Sequence, residues 1–479
     1  MIERGVARRA LGCPWAVFAV AIAAIALGVA FAPFAVSLVV GGAAVAGFLV
    51  WRFGAIRGMW YLVLLTLPLK EPLSFSIAGT VSAYPIDFLA IILLAAVIRR
   101  DGIARPLRES ASLRVIGAIM LLSLVGLYTA SNVFWGVASV YRIVMQLVVF
   151  ALAASIIRTP EDALRALAAV AASLVVPALY GFYQASLPYG APVPAWGYRA
   201  TAYDLRGTPF LRVFSTMDHP LHFSHYMSIA LGLSLGLAAG ARSAARRGVL
   251  LALAGLAVAA NLLTYSASGV VGVLASFVAA VLALRSRRLV AALVAAVIAL
   301  AVLAPPPLVA KLERMLKGDA ATTAARLVTY EQSFMIIRDH PLLGVGWGGI
   351  RSAMQGEYRI TRADPVAYTA ENYFLQRAVA LGLVGLSLYV ALLVRFIRNV
   401  HALRNDRSRS PDRARVGTAL LIGAVVFFAQ AQLIPAANVS TNSVLWLFYA
   451  AAEALRLAPG GPGAVEASTA TAAGGGEAA

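Results

Sequence analysis

The sequence predicts an all-α, polytopic membrane protein with about 12–14 transmembrane helices. Three observations predict it. Of the 479 residues, 61% are hydrophobic and only 13% are charged, whereas soluble chains carry roughly a quarter charged residues. Apolar runs near the ~20 residues that cross a bilayer recur from end to end. Most of the 40 basic residues fall into one alternating set of the loops between those runs. Backbone polar groups in hydrocarbon must be satisfied within their own segment, so the spans are helices rather than open strands. A water-soluble multidomain enzyme is excluded by this composition.

The apolar runs lie near residues 14–31, 32–50, 58–70, 85–99, 112–129, 133–157, 165–186 and 221–240. Others follow near 248–265, 268–285, 289–304, 377–396, 416–434 and 441–457. The first follows a basic start and resembles a signal-peptide core. It is read as retained, because a second span follows almost at once and no clear small-residue cleavage site precedes polar sequence. The chain then divides into spans over 1–304 with an external loop at about 187–220, a large external loop over 305–376, spans over 377–457, and a disordered Ala/Gly-rich tail over 458–479. With the N-terminus inside, Arg4, Arg8, Arg9, Arg52, Arg57, Arg99, Arg158, Arg242, Arg285, Arg395 and Arg456 all fall on the cytoplasmic face. Basic loops are held there by anionic lipid and the membrane potential. The formal charge of +19 is therefore a topology signal and not a nucleic-acid footprint. Cys13 is the only cysteine, so no intrachain disulfide or thiolate metal site can form.

The large loop opens with Pro305-Pro306-Pro307, a rigid exit from the bilayer. Leu327, Tyr330, Phe334 and Ile337 then recur at helical spacing and predict a helix over about Thr323 to Asp339. His340-Pro341 ends it, because proline disfavours helical geometry in the residue before it. Gly344-Val345-Gly346-Trp347-Gly348-Gly349 predicts a tight turn. The helix reads either as an amphipathic element lying on the bilayer or as a lid over an external site.

Few residues outside the apolar runs carry chemistry. Arg212 precedes the span near 221–240, and Arg326 lies in the amphipathic helix. Arg142 sits inside a span, where an unpaired charge costs several kcal/mol. A guanidinium suits a diphosphate because its planar fork makes paired charge-assisted hydrogen bonds. Headgroup contact for Arg212 and Arg326, and a structural pair for Arg142, are the plain alternatives. Glu371 stands before Asn372 at the mouth of the span near 377–396. It reads either as a general base or as a cap on the helix N-terminus. The shorter external loop carries Tyr189, Trp196, Tyr198, Tyr203, Phe210 and Phe214, which suit sugar faces or an interfacial belt. His219, His222 and His225 are spaced by three, but a metal site needs one helix to run through all three and Pro220 sits at its start, which favours polar packing.

The string Arg326…Tyr330…His340-Pro341-Leu342-Leu343-Gly344-Val345-Gly346, followed by Glu371-Asn372 and Leu381-Gly382-Leu383-Val384-Gly385, resembles the signature of the O-antigen ligase/polymerase family. Arg212 with Met217-Asp218-His219-Pro220, and Leu263-Thr264-Tyr265-Ser266 ending a span, are similar to further family features. The resemblance covers roughly 205–400. It implies a GT-C-like membrane glycosyltransferase of the bacterial inner membrane, active toward the periplasm without metal or other cofactor. Glycan would pass from an undecaprenyl-diphosphate-linked oligosaccharide to an acceptor glycan or lipid A-core. On this reading Arg212 and Arg326, with Arg142 behind them, hold the diphosphate, because without a metal the leaving-group charge must be met by fixed cations. Glu371 is the candidate base and His340 a second candidate, with turn stabilisation as its alternative. Asn372 orients the acceptor or Glu371, and Trp196, Tyr198 and Tyr203 contact sugar.

Two departures from the family pattern matter. Ser266-Ala267-Ser268-Gly269 stands where the family has Ser-Arg-Gly, so one phosphate-binding arginine is missing. Glu371 replaces the histidine usual in ligases, which points to the polymerase and exopolysaccharide branches. The rival classes are a polytopic transporter, notably a lipid-linked oligosaccharide flippase, and an envelope scaffold. A flippase would keep its external loops short, and a scaffold would have no single essential external arginine or acid.

Overall fold

A computed structural model describes residues 34–69, 75–77, 81–188, 190–193, 211–287, 289–291, 294–295, 306, 309, 313, 321–360, 369–406, 410–434 and 439–458. The architecture is helical, as the composition requires. Among the described residues the exception is a short antiparallel hairpin, Phe75–Ile77 with Val81–Ala83, in which Phe75 pairs with Ala83. Six described helices are long and apolar enough to cross a membrane: Val133–Ile156, Pro160–Ser186, Ala244–Leu262, Ala267–Leu284, Tyr373–Asn405 and Pro411–Ala431. Shorter apolar helices include Ala55–Leu65 and Ala111–Val125. The expected run at 14–31, most of that at 289–304 and nearly all of the tail lie outside the described residues.

Helix starts follow local chemistry. Asn132 accepts from Trp135 N, and Thr159 forms a reciprocal capping box with Asp162 ahead of Pro160. The run expected at 165–186 belongs to the span Pro160–Ser186, which a turn at Ser173-Leu174, itself in helical geometry, divides into Pro160–Ala172 and Val175–Ser186. Ser173 Oγ there meets Tyr226 Oη at 2.6 Å, a polar contact that hydropathy does not register.

Pro220–Ala239 forms the middle of the bundle and is buried along nearly its whole length. It packs on Ala244–Leu262, Ala267–Leu284 and Pro411–Ala431. Close approach needs small residues: a Cβ on Gly232 would meet Val426 at 3.0 Å, and one on Gly236 would meet Ala419 at 3.1 Å. Hydrogen bonds add glue along the seam. Asn261 Nδ2 donates to Ser228 Oγ at 2.8 Å, and Gln430 Nε2 donates to Ser268 O at 2.6 Å.

Arginine-rich helix ends are tied by ion pairs between neighbours: Arg158–Asp101 at 2.6 Å, Arg242–Asp412 at 2.7 Å and Arg57–Asp162 at 3.5 Å. The most enclosed acid of this kind, Glu453, is 2% exposed. It accepts from Asn399 at 2.7 Å, Ser112 Oγ at 2.8 Å and Arg395 at 3.1 Å, so a carboxylate that would be costly alone joins three helices.

Candidate active site

The amphipathic segment folds as Ala321–Asp339, within two residues of the expected start and ending at the expected residue. It brings Arg326 to Glu371. Arg326 Nε donates to Glu371 Oε2 at 2.8 Å, and Nη2 donates to Leu433 O at 3.0 Å. Leu433 lies just past the C-terminus of Pro411–Ala431, where helix carbonyls lack intrahelical partners and favour a cation. One turn further along, Tyr330 Oη donates to Gln432 O at 3.0 Å. Three distant stretches, 326–330, 371–372 and 432–433, therefore meet at one polar cluster.

The cap on the following helix is Asn372, and Glu371 is engaged by Arg326 instead. Asn372 Oδ1 accepts from Phe374 N at 2.9 Å and Leu375 N at 3.1 Å, while Nδ2 donates to Gln432 Oε1 at 2.8 Å. Glu371 is relieved of capping and keeps 35% side-chain exposure, against 18% for Arg326. A half-open carboxylate beside a guanidinium can accept a proton and exchange its partner for an incoming anion. Gln432 escaped the sequence reading because it sits at the far end of another span. Its only local signal is a polar pair, Gln430 and Gln432, closing an apolar run.

Arg212 is placed at the other segment singled out by the resemblance. Arg212 Nε donates to Thr264 O at 3.3 Å, and Val213 N donates to Leu263 O at 3.1 Å, so residues 212–213 run along the 263–264 turn. Tyr265 in that turn has φ 44°. Where the family's arginine is missing, Ser268 is buried and meets Ser266 Oγ at 2.7 Å. Arg142 stands inside Val133–Ile156, half-buried, with no hydrogen bond or ion pair among the described residues. Its neighbour Tyr141 donates to Asp87 at 3.1 Å.

His340 is not brought to the Arg326–Glu371 pair. It follows the last residue of the helix, 14 positions beyond Arg326, which at 1.5 Å per residue is about 20 Å along the axis. Its carbonyl accepts from Gly344 N at 3.2 Å and opens the glycine turn. Beside it, Arg338 donates to Asp339 at 2.8 Å and holds that carboxyl below its ordinary range.

The turn docks on a break inside Tyr373–Asn405, at Gly382 (φ 66°, ψ −170°). In an unbroken helix Leu383 N would bond Val379 O. Here Leu383 N donates to Pro341 O at 2.7 Å, and the released carbonyls of Val379 and Ala380 accept from Val345 N and Gly346 N, both at 3.0 Å. Gly344 and Gly346 take φ values of 65° and 70°, and a Cβ on Gly344 would strike Val379 O. These glycines serve a backbone clasp.

Trp196, Tyr198 and Tyr203, with Tyr189 and Phe210, lie outside the described residues. Phe214 is fully buried in a small cluster with Tyr180 and Val193, so its ring faces neither a sugar nor an interface. The three histidines have separate tasks. His219 caps Pro220–Ala239, His222 meets Asp218 at 2.6 Å, and His225 Nε2 meets Phe427 O at 3.1 Å. No group of three or more metal-ligating side chains occurs among the described residues.

Fold and site together define a multi-pass helical membrane protein with an arginine–carboxylate cluster where three distant stretches meet. Residues 250–390 match the family model described as O-antigen ligase, which supports placing the chain in the O-antigen ligase/polymerase family. The match takes in the 263–266 turn, Arg326, the glycine clasp and Glu371-Asn372, and leaves Arg142, Arg212 and Gln432 outside. No curated protein matches the chain.

Proposed function

We propose that this protein transfers glycan from an undecaprenyl-diphosphate-linked donor to an acceptor sugar hydroxyl at the periplasmic face of the bacterial inner membrane. The observation that carries the proposal is the Arg326–Glu371 pair, held within the family-matched segment by Asn372, Gln432 and Leu433. An arginine has five N–H donors, so binding a diphosphate at Arg326 requires only that it exchange its carboxylate partner. The released Glu371 then takes the proton of the acceptor hydroxyl as that oxygen attacks the anomeric carbon. The diphosphate leaves with the glycosidic electron pair, and Arg212 and Arg326 meet its charge without a metal. Arg142 is a reserve cation in this scheme, Trp196, Tyr198 and Tyr203 are the sugar contacts, and the role given to His340 is closing the turn. Glu371 in place of histidine favours a polymerase of O-antigen or exopolysaccharide over a ligase acting on lipid A-core.

The test is glycan analysis of a deletion strain complemented with variants. Arg326→Ala and Arg212→Ala are expected to abolish long-chain polysaccharide while the protein still accumulates in the membrane. Normal surface polymer in either variant would overturn the assignment. In the deletion strain itself, single repeat units identify a polymerase. Polymer retained on the lipid carrier and absent from lipid A-core identifies a ligase.

A further inference from the structure

One charged side chain near this cluster is unaccounted for by the proposed chemistry. Arg377, one turn into Tyr373–Asn405, is only 6% exposed and has no carboxylate partner among the described residues. Its guanidinium carbon lies 3.6 Å from the Tyr373 ring centroid, 5.3 Å from that of Tyr389 and 5.7 Å from that of Trp347. Aromatic faces attract a cation but leave its N–H groups unsatisfied, and Nε has no hydrogen-bond partner. The bonds it does make are directional. Nη1 donates to Tyr373 O at 3.3 Å and to Gln376 Oε1 at 2.9 Å. A guanidinium has no acceptor, so Gln376 must turn its oxygen toward Arg377 and its amide N–H₂ away. That N–H₂ donates to Thr369 Oγ1 at 2.9 Å. Thr369 stands two residues before Glu371, and the intervening Ala370 is fully buried.

We infer that Arg377, acting through Gln376 and Thr369, is a positioning residue that orients the Glu371 carboxylate. The inference rests on the reading of Glu371 as the base. The caged cation sets the polarity of the Gln376 amide, the amide pins Thr369, and Asn372 pins the other flank. Glu371 is thereby held from both sides, and Trp347 couples the arrangement to the glycine clasp. Misplacement of a reacting group by about 1 Å costs on the order of a hundredfold in rate, so loosening one flank is expected to lower turnover without weakening donor binding.

The experiment uses the full-length protein in proteoliposomes, with polyprenyl-diphosphate-linked oligosaccharide extracted from cells lacking it as donor. Gln376→Ala and Thr369→Val are the test variants, because Arg377→Ala would also open the aromatic cage and endanger folding. Both are expected to lower kcat about tenfold at unchanged donor KM, to displace the acidic limb of the pH–rate profile, and to accumulate at the parental level. Parental kcat and pH profile in both Gln376→Ala and Thr369→Val overturn the inference and reduce Arg377 to packing, as does a loss that appears only in KM. Glu371→Gln is measured alongside. Full activity there removes the base and this inference with it, whereas an inactive Glu371→Gln beside unaffected relay variants removes the inference alone.

Discussion

Two regions of the same sequence signature are built on opposite plans. Around Arg326, Tyr330, Glu371 and Asn372 the contacts run from side chain to side chain or to a helix-end carbonyl, and two of the charged groups keep contact with solvent. Around His340 to Gly346 the contacts are backbone to backbone, closing on the break at Gly382. The difference separates chemistry from architecture. A glycine-rich turn in the same signature as a candidate phosphate-binding arginine invites reading as a phosphate cradle, yet its N–H groups at Val345 and Gly346 are spent on the carbonyls that the break releases.

The comparison can be broken most decisively at Glu371. Glu371→Gln is expected to lower glycan transfer about 100- to 10,000-fold, the range for removing a general base, with thermal stability in detergent unchanged. A stability loss with activity kept would make the pair structural. Gly382→Ala addresses the other plan. A Cβ there would strike the Leu342 carbonyl, and a backbone at φ 66°, ψ −170° is close to glycine-only and costs another residue about 1–3 kcal/mol before any clash. Poor accumulation and a lowered melting temperature are expected, and a stable, inactive protein would give the clasp a chemical role. Asn372→Ala removes a cap worth about 1 kcal/mol, and Asn372→Asp is expected to restore the cap but not the bond to Gln432 Oε1; the two melting temperatures check this. The smallest effect is expected for His340→Ala, whose contacts to the clasp are made by its backbone. Turnover within about twofold of the parent supports that placement, and a hundredfold loss would return His340 to the chemistry.

Much of the fold was legible because hydropathy and caps are local. The amphipathic helix ends at Asp339, where His340-Pro341 requires it. The break at Gly382 was not legible. Leu381-Gly382-Leu383-Val384-Gly385 is an apolar run, and apolarity reports lipid or core contact but not a backbone dihedral. The turn at Ser173-Leu174 was hidden for the same reason. At the site, charge together with place in the signature made Arg326 and Glu371 visible among the other ionisable residues of the same stretch. Gln432 and Leu433 were out of reach. Their part depends on where a span ends in space, 60 or more residues from their partners, and one acts only through a main-chain carbonyl. Phe214 was legible only as a loop aromatic, suited to a sugar face or an interfacial belt; it is buried, and Gln184 Oε1 accepts from its backbone N–H.

The ion pairs at the arginine-rich ends have a consequence for biogenesis. Asp101, Asp162, Asp412 and Glu453 neutralise guanidiniums borne mostly by other helices, and such partners are not yet assembled while the nascent chain leaves the translocon. Arg57, Arg242 and Arg395 thus face the membrane potential without these partners during insertion and become compensated struts once the later helices arrive. These residues can orient the young polypeptide and later rivet the mature bundle, because the acids that silence them lie further along the chain.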